Sequence, residues 1–257
     1  MQNKAVLPIY ERRNIMFFIK IPNSAPKEAS ILIAQESHLL SKLSFKYFIP
    51  TVQIKSLPPS LAYHADLQIH YLGKGVFLSC PEAYGYYCEK LVPLGAKVIK
   101  GQADVSGNYP NDAAYNIVRV GSKAYHNTKY TEKTAKAYFE REDVTLIHIN
   151  QGYAKCLTAV TGENSIMTSD AGIYNTACAH GTDSLLIEQG YITLDGFSYG
   201  FLGGASCLLP DNKFFITGSL KNHPSRHKIL SFLEKQELEP VEAVQNPPVD
   251  IGSLIIA

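Results

Sequence analysis

Apolar and polar positions along the chain repeat one phrase: an apolar strand, a small turn, and a second apolar strand. It occurs at 67–80 (LQIHYLGKGVFLSC), 115–128 (YNIVRVGSKAYHNT), 155–169 (KCLTAVTGENSIMTS) and 206–218 (SCLLPDNKFFITG), and stops half-made at 252–257 (GSLIIA). The copies are spaced by roughly 40 to 50 residues, the range in which repeats build propellers, solenoids or arrays. Each strand pair is followed by a helical pattern and a further apolar run. In the first unit these are 81–93 and 96–99. The second has 129–140, with Thr131 as N-cap, and 144–149. The third has 171–180 and 184–188, with a short extra strand at 190–194. In the fourth, 225–237 carries the stripe Ile229, Leu230, Phe232 and Leu233, and 240–244 is the closing strand.

The fifth unit runs out of chain after one strand, and the N-terminus is expected to complete it. Residues 15–21 supply its second strand, 25–40 its helix with Ser24 as cap, and 45–54 its closing strand. The expected fold is α/β, a five-bladed pseudo-symmetric β/α propeller of strand-strand-helix-strand modules in a single domain over 1–257. The modules fall at about 64–110, 111–151, 152–202, 203–249, and 250–257 together with 15–56.

Composition narrows the function. Lys and Arg number 24 against 23 Asp and Glu in 257 residues, so no global field favours nucleic acid or an anionic membrane surface. The apolar stretch at 15–21 is broken by Lys20 and closed by Pro22, too short and too charged to cross a membrane. Five cysteines without a CxxC pair or Cys/His spacing fit neither a disulfide framework nor a metal site, so a reducing cytoplasm is expected and no metal or other cofactor is implied. Cys80, Cys88 and Cys178 read as small packed hydrophobes.

Five such modules resemble the pentein superfamily, the β/α propeller of arginine deiminases, dimethylargininases, agmatine deiminases and amidinotransferases, which also includes a non-enzymatic ribosomal anti-association factor. The resemblance runs over nearly the whole chain, on repeat pattern and short phrases. It implies a site on the ring axis, beside the first strand of each module, which can be checked module by module. Tyr63, His64, Ala65 and Asp66 ahead of Gly73-Lys74-Gly75 match a YFTRD-like phrase, with Asp66 as the substrate-orienting carboxylate; a turn-capping aspartate gives the same pattern. A GGD or GGE phrase falls on 113–117 (AAYNI), with Asn116 at the acid's place, where an amide cannot move a proton. The catalytic histidine of an HLK phrase falls on Tyr153, followed by Ala154 and Lys155. Residues two apart on a strand share a face, which would put Tyr153 and Lys155 on one surface. The nucleophilic cysteine of a GGSVHC phrase falls on the apolar end of 250–257, near Ile256. A similar phrase, 202–207 (LGGASC), lies one module early and would make Cys207 the nucleophile if the repeat count were off by one; Cys156, beside Lys155, is the other candidate thiol.

Two classes of function follow. In one, the chain binds a small guanidino, ureido or amino-acid-like ligand on the axis through Asp66, Asn116, Tyr153, Lys155, Ser206 and Asp250, with a degenerate active site. In the other it is a hydrolase or amidinotransferase-like enzyme acting on a guanidine or amide C–N bond through Cys156 or Cys207, with Tyr153 and Lys155 beside them. A third reading is a protein-binding propeller like the ribosomal factor.

Overall fold

The computed structural model describes residues 18–23 and 29–257. In chain order the elements begin with strands β1 (Ile31–Ala34) and β2 (Tyr47–Pro50), separated by a 3-10 turn at His38–Leu40. A one-turn helix α1 (Ala65–Gln68) leads into β3 (Ile69–Gly73), β4 (Val76–Ser79), α2 (Tyr84–Leu91) and β5 (Lys97–Lys100). Then come β6 (Val118–Val120), β7 (Lys123–His126), α3 (Lys133–Arg141) and β8 (Thr145–His148). A second one-turn helix, α4 (Ala154–Leu157), precedes β9 (Thr158–Gly162), β10 (Ser165–Thr168), α5 (Ala171–Ala179) and β11 (Asp183–Leu186). The chain ends with β12 (Ser206–Leu209), β13 (Lys213–Ile216), α6 (Arg226–Lys235), β14 (Glu239–Glu242) and β15 (Ile255–Ile256).

These strands form five three-stranded sheets of one design: the first strand is antiparallel to the second, and the second is parallel to the third. Tight turns join the first two strands of four sheets. Between β3 and β4 Lys74 and Gly75 both have positive φ, the left-handed pair that a two-residue hairpin demands, and in the three-residue loop between β12 and β13 Asp211 and Asn212 do. The parallel third strand needs a crossover, which a helix supplies in four sheets and the stretch with the 3-10 turn between β1 and β2 supplies in the fifth. Each helix lays its apolar stripe on its sheet: Ile229 and Leu233 of α6 pack with Phe214 and Ile216, and Ile173 and Ala177 of α5 with Ile166. A fully buried side chain of this size contributes about 1.5–3 kcal/mol.

The fifth sheet joins the two ends of the chain. β15 pairs antiparallel with β1, Leu32 opposite Ile256 and Ile33 opposite Ile255, and β1 pairs in parallel with β2. Its second strand is thus Ile31–Ala34, inside the segment read as a helix over 25–40. A four-residue apolar run has no room to show a period, and all four of its side chains are buried, as in a strand covered on both faces. Of the strand expected at 15–21, residues 15–17 lie outside the described residues, as does the Ser24 cap, and 18–21 are not a strand. They lie over the β3–β4 turn, where the Lys74 amide and the Tyr71 hydroxyl both donate to the Ile19 carbonyl.

Three further corrections are local. Helix α3 is capped by Glu132, whose carboxylate accepts from the Ala135 amide at 2.9 Å, while the Thr131 hydroxyl is held against Asn127 and His126. The extra strand expected at 190–194 is a single bridge, Thr193 with Val249. Cys178, expected to pack, is exposed. No helix among the described residues is long and apolar enough to cross a membrane.

His70 on β3 is buried, stands edge-on to Phe139, and has no partner for Nε2 among the described residues. Burial, followed by the nearby Arg119, pushes its pKa down to about 3. The unfolded chain takes up this proton near pH 6.5 and the folded one does not, so the stability tied to neutral His70 is complete above pH 6.5 and is lost as pH falls towards 3. Denaturant unfolding should show His70→Leu removing about 2 kcal/mol of the stability difference between pH 7 and pH 5.

Candidate functional site

Five turns, each just before the first strand of a sheet, meet in the interior. They are α1, residues 113–117, α4, residues 201–205 and residues 250–253. Backbone hydrogen bonds tie them together: Asp66 N donates to Gly252 O, Lys155 N to Asn116 O, Gly204 N to Cys156 O, and Ser253 N to Gly204 O. Such approach leaves no room for side chains. A Cβ on Gly203 would lie within 2.5 Å of the Lys155, Cys156 and Thr158 carbonyl oxygens, and one on Gly204 only 1.9 Å from Asp250 Oδ1. The glycines of the phrase 202–207 are therefore there for packing.

The turns deliver a buried polar cluster. Asp66 Oδ2 accepts from the Cys156 thiol at 3.1 Å and from the Ser253 hydroxyl. Lys155 Nζ donates to Ser253 Oγ at 3.2 Å and to Gly203 O at 3.1 Å. Asn116 holds the thiol from the other side: its Oδ1 accepts from the amides of Lys155 (2.7 Å) and Cys156 (3.2 Å), and its Nδ2 donates to Sγ at 2.9 Å. Those two amides fix the orientation of the Asn116 side chain, and a carboxylate there would have no donor for the sulfur.

Above this cluster is a cavity of about 320 Å³. Its aromatic walls are Tyr153, Phe197, Tyr199 and Phe201, and its polar groups include His64, Cys156 and Asp250. Asp250 accepts from the Phe201 amide at 3.0 Å and the Gly252 amide at 2.9 Å. Burial raises its pKa, and His64 opposes the rise. The Tyr153 hydroxyl donates to Asp112 Oδ2, and Asp112 Oδ1 is buried without a partner among the described residues. Burial, with Asp112 adding to it, holds the Tyr153 phenol above its ordinary pKa, so it rests protonated.

The two candidate thiols rest neutral as well. Burial, reinforced by Asp66 and Asp250, lifts Cys156 well above the ordinary thiol range, and burial pushes Cys207 up to about 12 against the pull of Lys155. Lys155 is itself drawn down by burial, with Asp66 opposing.

Asp66, Asn116, Lys155 and Cys156 thus share one cluster, and Tyr153, Cys156 and Asp250 border the cavity. Ser206 and Cys207 are not on the cavity wall; the Ser206 hydroxyl donates to the Leu202 carbonyl within its own turn, and Cys207 packs against the main core. Tyr153 and Lys155 do not share a surface. Residues 154–157 are a helical turn rather than a strand, so alternation fails: Tyr153 faces the cavity and Lys155 borders a separate crevice with Asp66, His70 and Tyr71. Sequence reasoning missed Ser253 and His64 as partners and gave Asp112 no role. The Asn-Asp pair at 111–112 ahead of a repeat strand was the available signal for the last. Among the described residues no group of three His, Cys, Asp or Glu side chains converges as a metal site would require.

Two measurements test this packing. Gly204→Ala should cost about 3 kcal/mol in denaturant unfolding, since the new methyl meets a fixed carboxylate. Gly85→Ala, on α2 with open space around it, should stabilise by roughly 0.5–1 kcal/mol. In thiol labelling at pH 7.5, Cys178 should react first, with Cys156 and Cys207 at least tenfold slower; fast Cys156 labelling would contradict a neutral, hydrogen-bonded thiol.

Solved structures share the fold over most of their length. DDAH from Pseudomonas aeruginosa, complexed with citrulline, is 11% identical, with 84% of this chain and 92% of that one covered at a TM-score of 0.50. Agmatine deiminase from C. jejuni is 10% identical over 90% and 93%, TM-score 0.51. Inosamine-phosphate amidinotransferase from Streptomyces griseus is 7% identical over 95% and 96%, TM-score 0.53. The fold is that of the pentein superfamily. Curated proteins give no match. A family model described as "Family of unknown function (DUF6873)" matches residues 33–255, and the chain belongs to that family.

Proposed function

We propose that the five sheets close into one ring, as a single domain, and that the chain binds a small guanidino, ureido or amino-acid-like ligand in the cavity at its centre. Ring closure is supported by the order of the inter-turn bonds, which join modules two to three, three to four, four to five, and five back to one. The observation that carries the ligand class is charge at depth. Two buried carboxyl groups, Asp66 and Asp250, stand against one buried amine, Lys155. Asp250, at a cavity walled by four aromatic rings, suits a planar cation with an apolar body, which pairs with a carboxylate and stacks on rings. The names of the neighbours agree in chemistry: one is an agmatine deiminase, and another was solved with citrulline, a ureido amino acid.

Binding without turnover is the reading favoured, because Tyr153 and Asn116 cannot exchange protons readily at neutral pH and Cys156 rests as a thiol. The enzyme reading rests on one observation, that Cys156 Sγ already donates to a carboxylate, so Asp66 could take its proton if a bound guanidinium drew the thiol towards thiolate. Cys207, away from the cavity wall, has no such access. With near-neutral charge, a nucleic-acid partner is not expected, and the proposed setting is cytoplasmic.

A thermal-shift panel of guanidino, ureido and amino-acid compounds should give a stabilising ligand worth about 2.7 kcal/mol at a hundred times its dissociation constant. Asp250→Asn should weaken a cationic ligand by at least tenfold. No shift with any compound would overturn the binding proposal. An adduct on Cys156 in intact-mass spectra, or ammonia release, would move the chain to the enzyme reading.

A further inference from the structure

A second cavity, of about 190 Å³, lies where β3 and β6 end, bordered by Leu72, Gly121 and Arg119. The turns that build the central site precede these same strands, so this cavity is at their other end. Arg119 is 5% exposed, and among the described residues no carboxylate pairs with it. Its Nη2 donates to the Gly121 carbonyl at 2.8 Å, Nε has no partner among the described residues, and its guanidinium lies 5.6 Å from the Phe139 ring centre.

A buried cation without a counter-charge costs several kcal/mol relative to one that is paired. Burial brings its pKa down to about 10, so it stays charged at neutral pH. Its surroundings do not neutralise it. The cavity lining contains Lys20, Lys74 and Arg119 against Glu142 and Asp143, and Glu142 is already engaged by Lys74 at 2.9 Å and by Arg141 at 3.0 Å. His70, facing Arg119 from β3, is neutral. One net positive charge is left in a recess that contains a guanidinium with unused donors.

We propose that this cavity is a binding site for a small oxyanion, a carboxylate or phosphate group, held by Arg119. The planar fork of a guanidinium matches two oxygens of either group, and Lys20 at the cavity adds attraction. The site is separate from the central cavity and does not depend on what binds there.

The test is a titration of the full chain, ¹⁵N-labelled at arginine, with acetate and separately with inorganic phosphate, ionic strength being held constant with chloride. A saturable shift of the Arg119 Nε resonance, with a rise in Tm, is expected for at least one of them. Acetate alone would assign a carboxylate site, and phosphate alone a phosphate site. Arg119→Met should abolish the Tm response. Arg119→Lys, which keeps the charge and guards against a folding defect in the first variant, should bind at least tenfold more weakly. The proposal is overturned if neither anion gives a saturable shift, if chloride acts equally well, or if the Tm response survives in Arg119→Met.

Discussion

The structure depends on the close approach of five turns in its interior. Each sheet has only three short strands and cannot bury both faces alone, so its stability comes from what it packs against. The contact is backbone on backbone, as the carbonyls crowding Gly203 show, and it leaves polar groups of the turns without water. The side chains at the junction must then satisfy one another. Asp66, Ser253 and Lys155 do this across modules, with Ser253 and Asp66 187 residues apart. The last turn of the chain is thereby tied to the first module, beside the β15–β1 pairing that joins the chain ends.

The same constraint sets the chemistry. Groups that hold turns together are engaged in hydrogen bonds and removed from solvent, and both effects favour neutral or internally paired forms. Cys156 is the clearest case. A reactive thiol needs a cation and some exposure, whereas this one sits between an amide that donates to it and a carboxylate that accepts from it, both buried. Lys155, linked to Asp66 through Ser253, is used on a carbonyl and a hydroxyl.

The repeat and its module order were legible because hairpins and helices leave clear patterns: two-residue turns, Gly73-Lys74-Gly75, and the stripe of α6. The shared cluster of Asp66, Asn116 and Lys155 was legible through the resemblance, whose phrases fall on these residues just ahead of their strands. What failed was short or fully buried. Ile31–Ala34 is apolar throughout and shows no alternation, so it merged with a helical-looking neighbourhood. The one-turn helices α1 and α4 are buried at all four positions and look like the first residues of a strand, which put Tyr153 and Lys155 on one face. Ser253 carries no signal of its own, because its partner is distant in sequence and its φ of +69° is visible only in the folded chain.

The polar side chains at the centre are consistent with one another in physical terms. The Asn116 amide meets two backbone donors and a sulfur at once, which a carboxylate could not do. Tyr153 reaches Asp112 and presents a ring to the cavity. With the thiol held neutral by burial and the nearby carboxylates, Cys156 is not a ready nucleophile at rest. In the reading proposed above, the carboxyl groups of Asp66 and Asp250 and the aromatic walls are the parts that would hold a cationic ligand, because recognition needs only fixed charge and shape while turnover needs a group whose protonation can change.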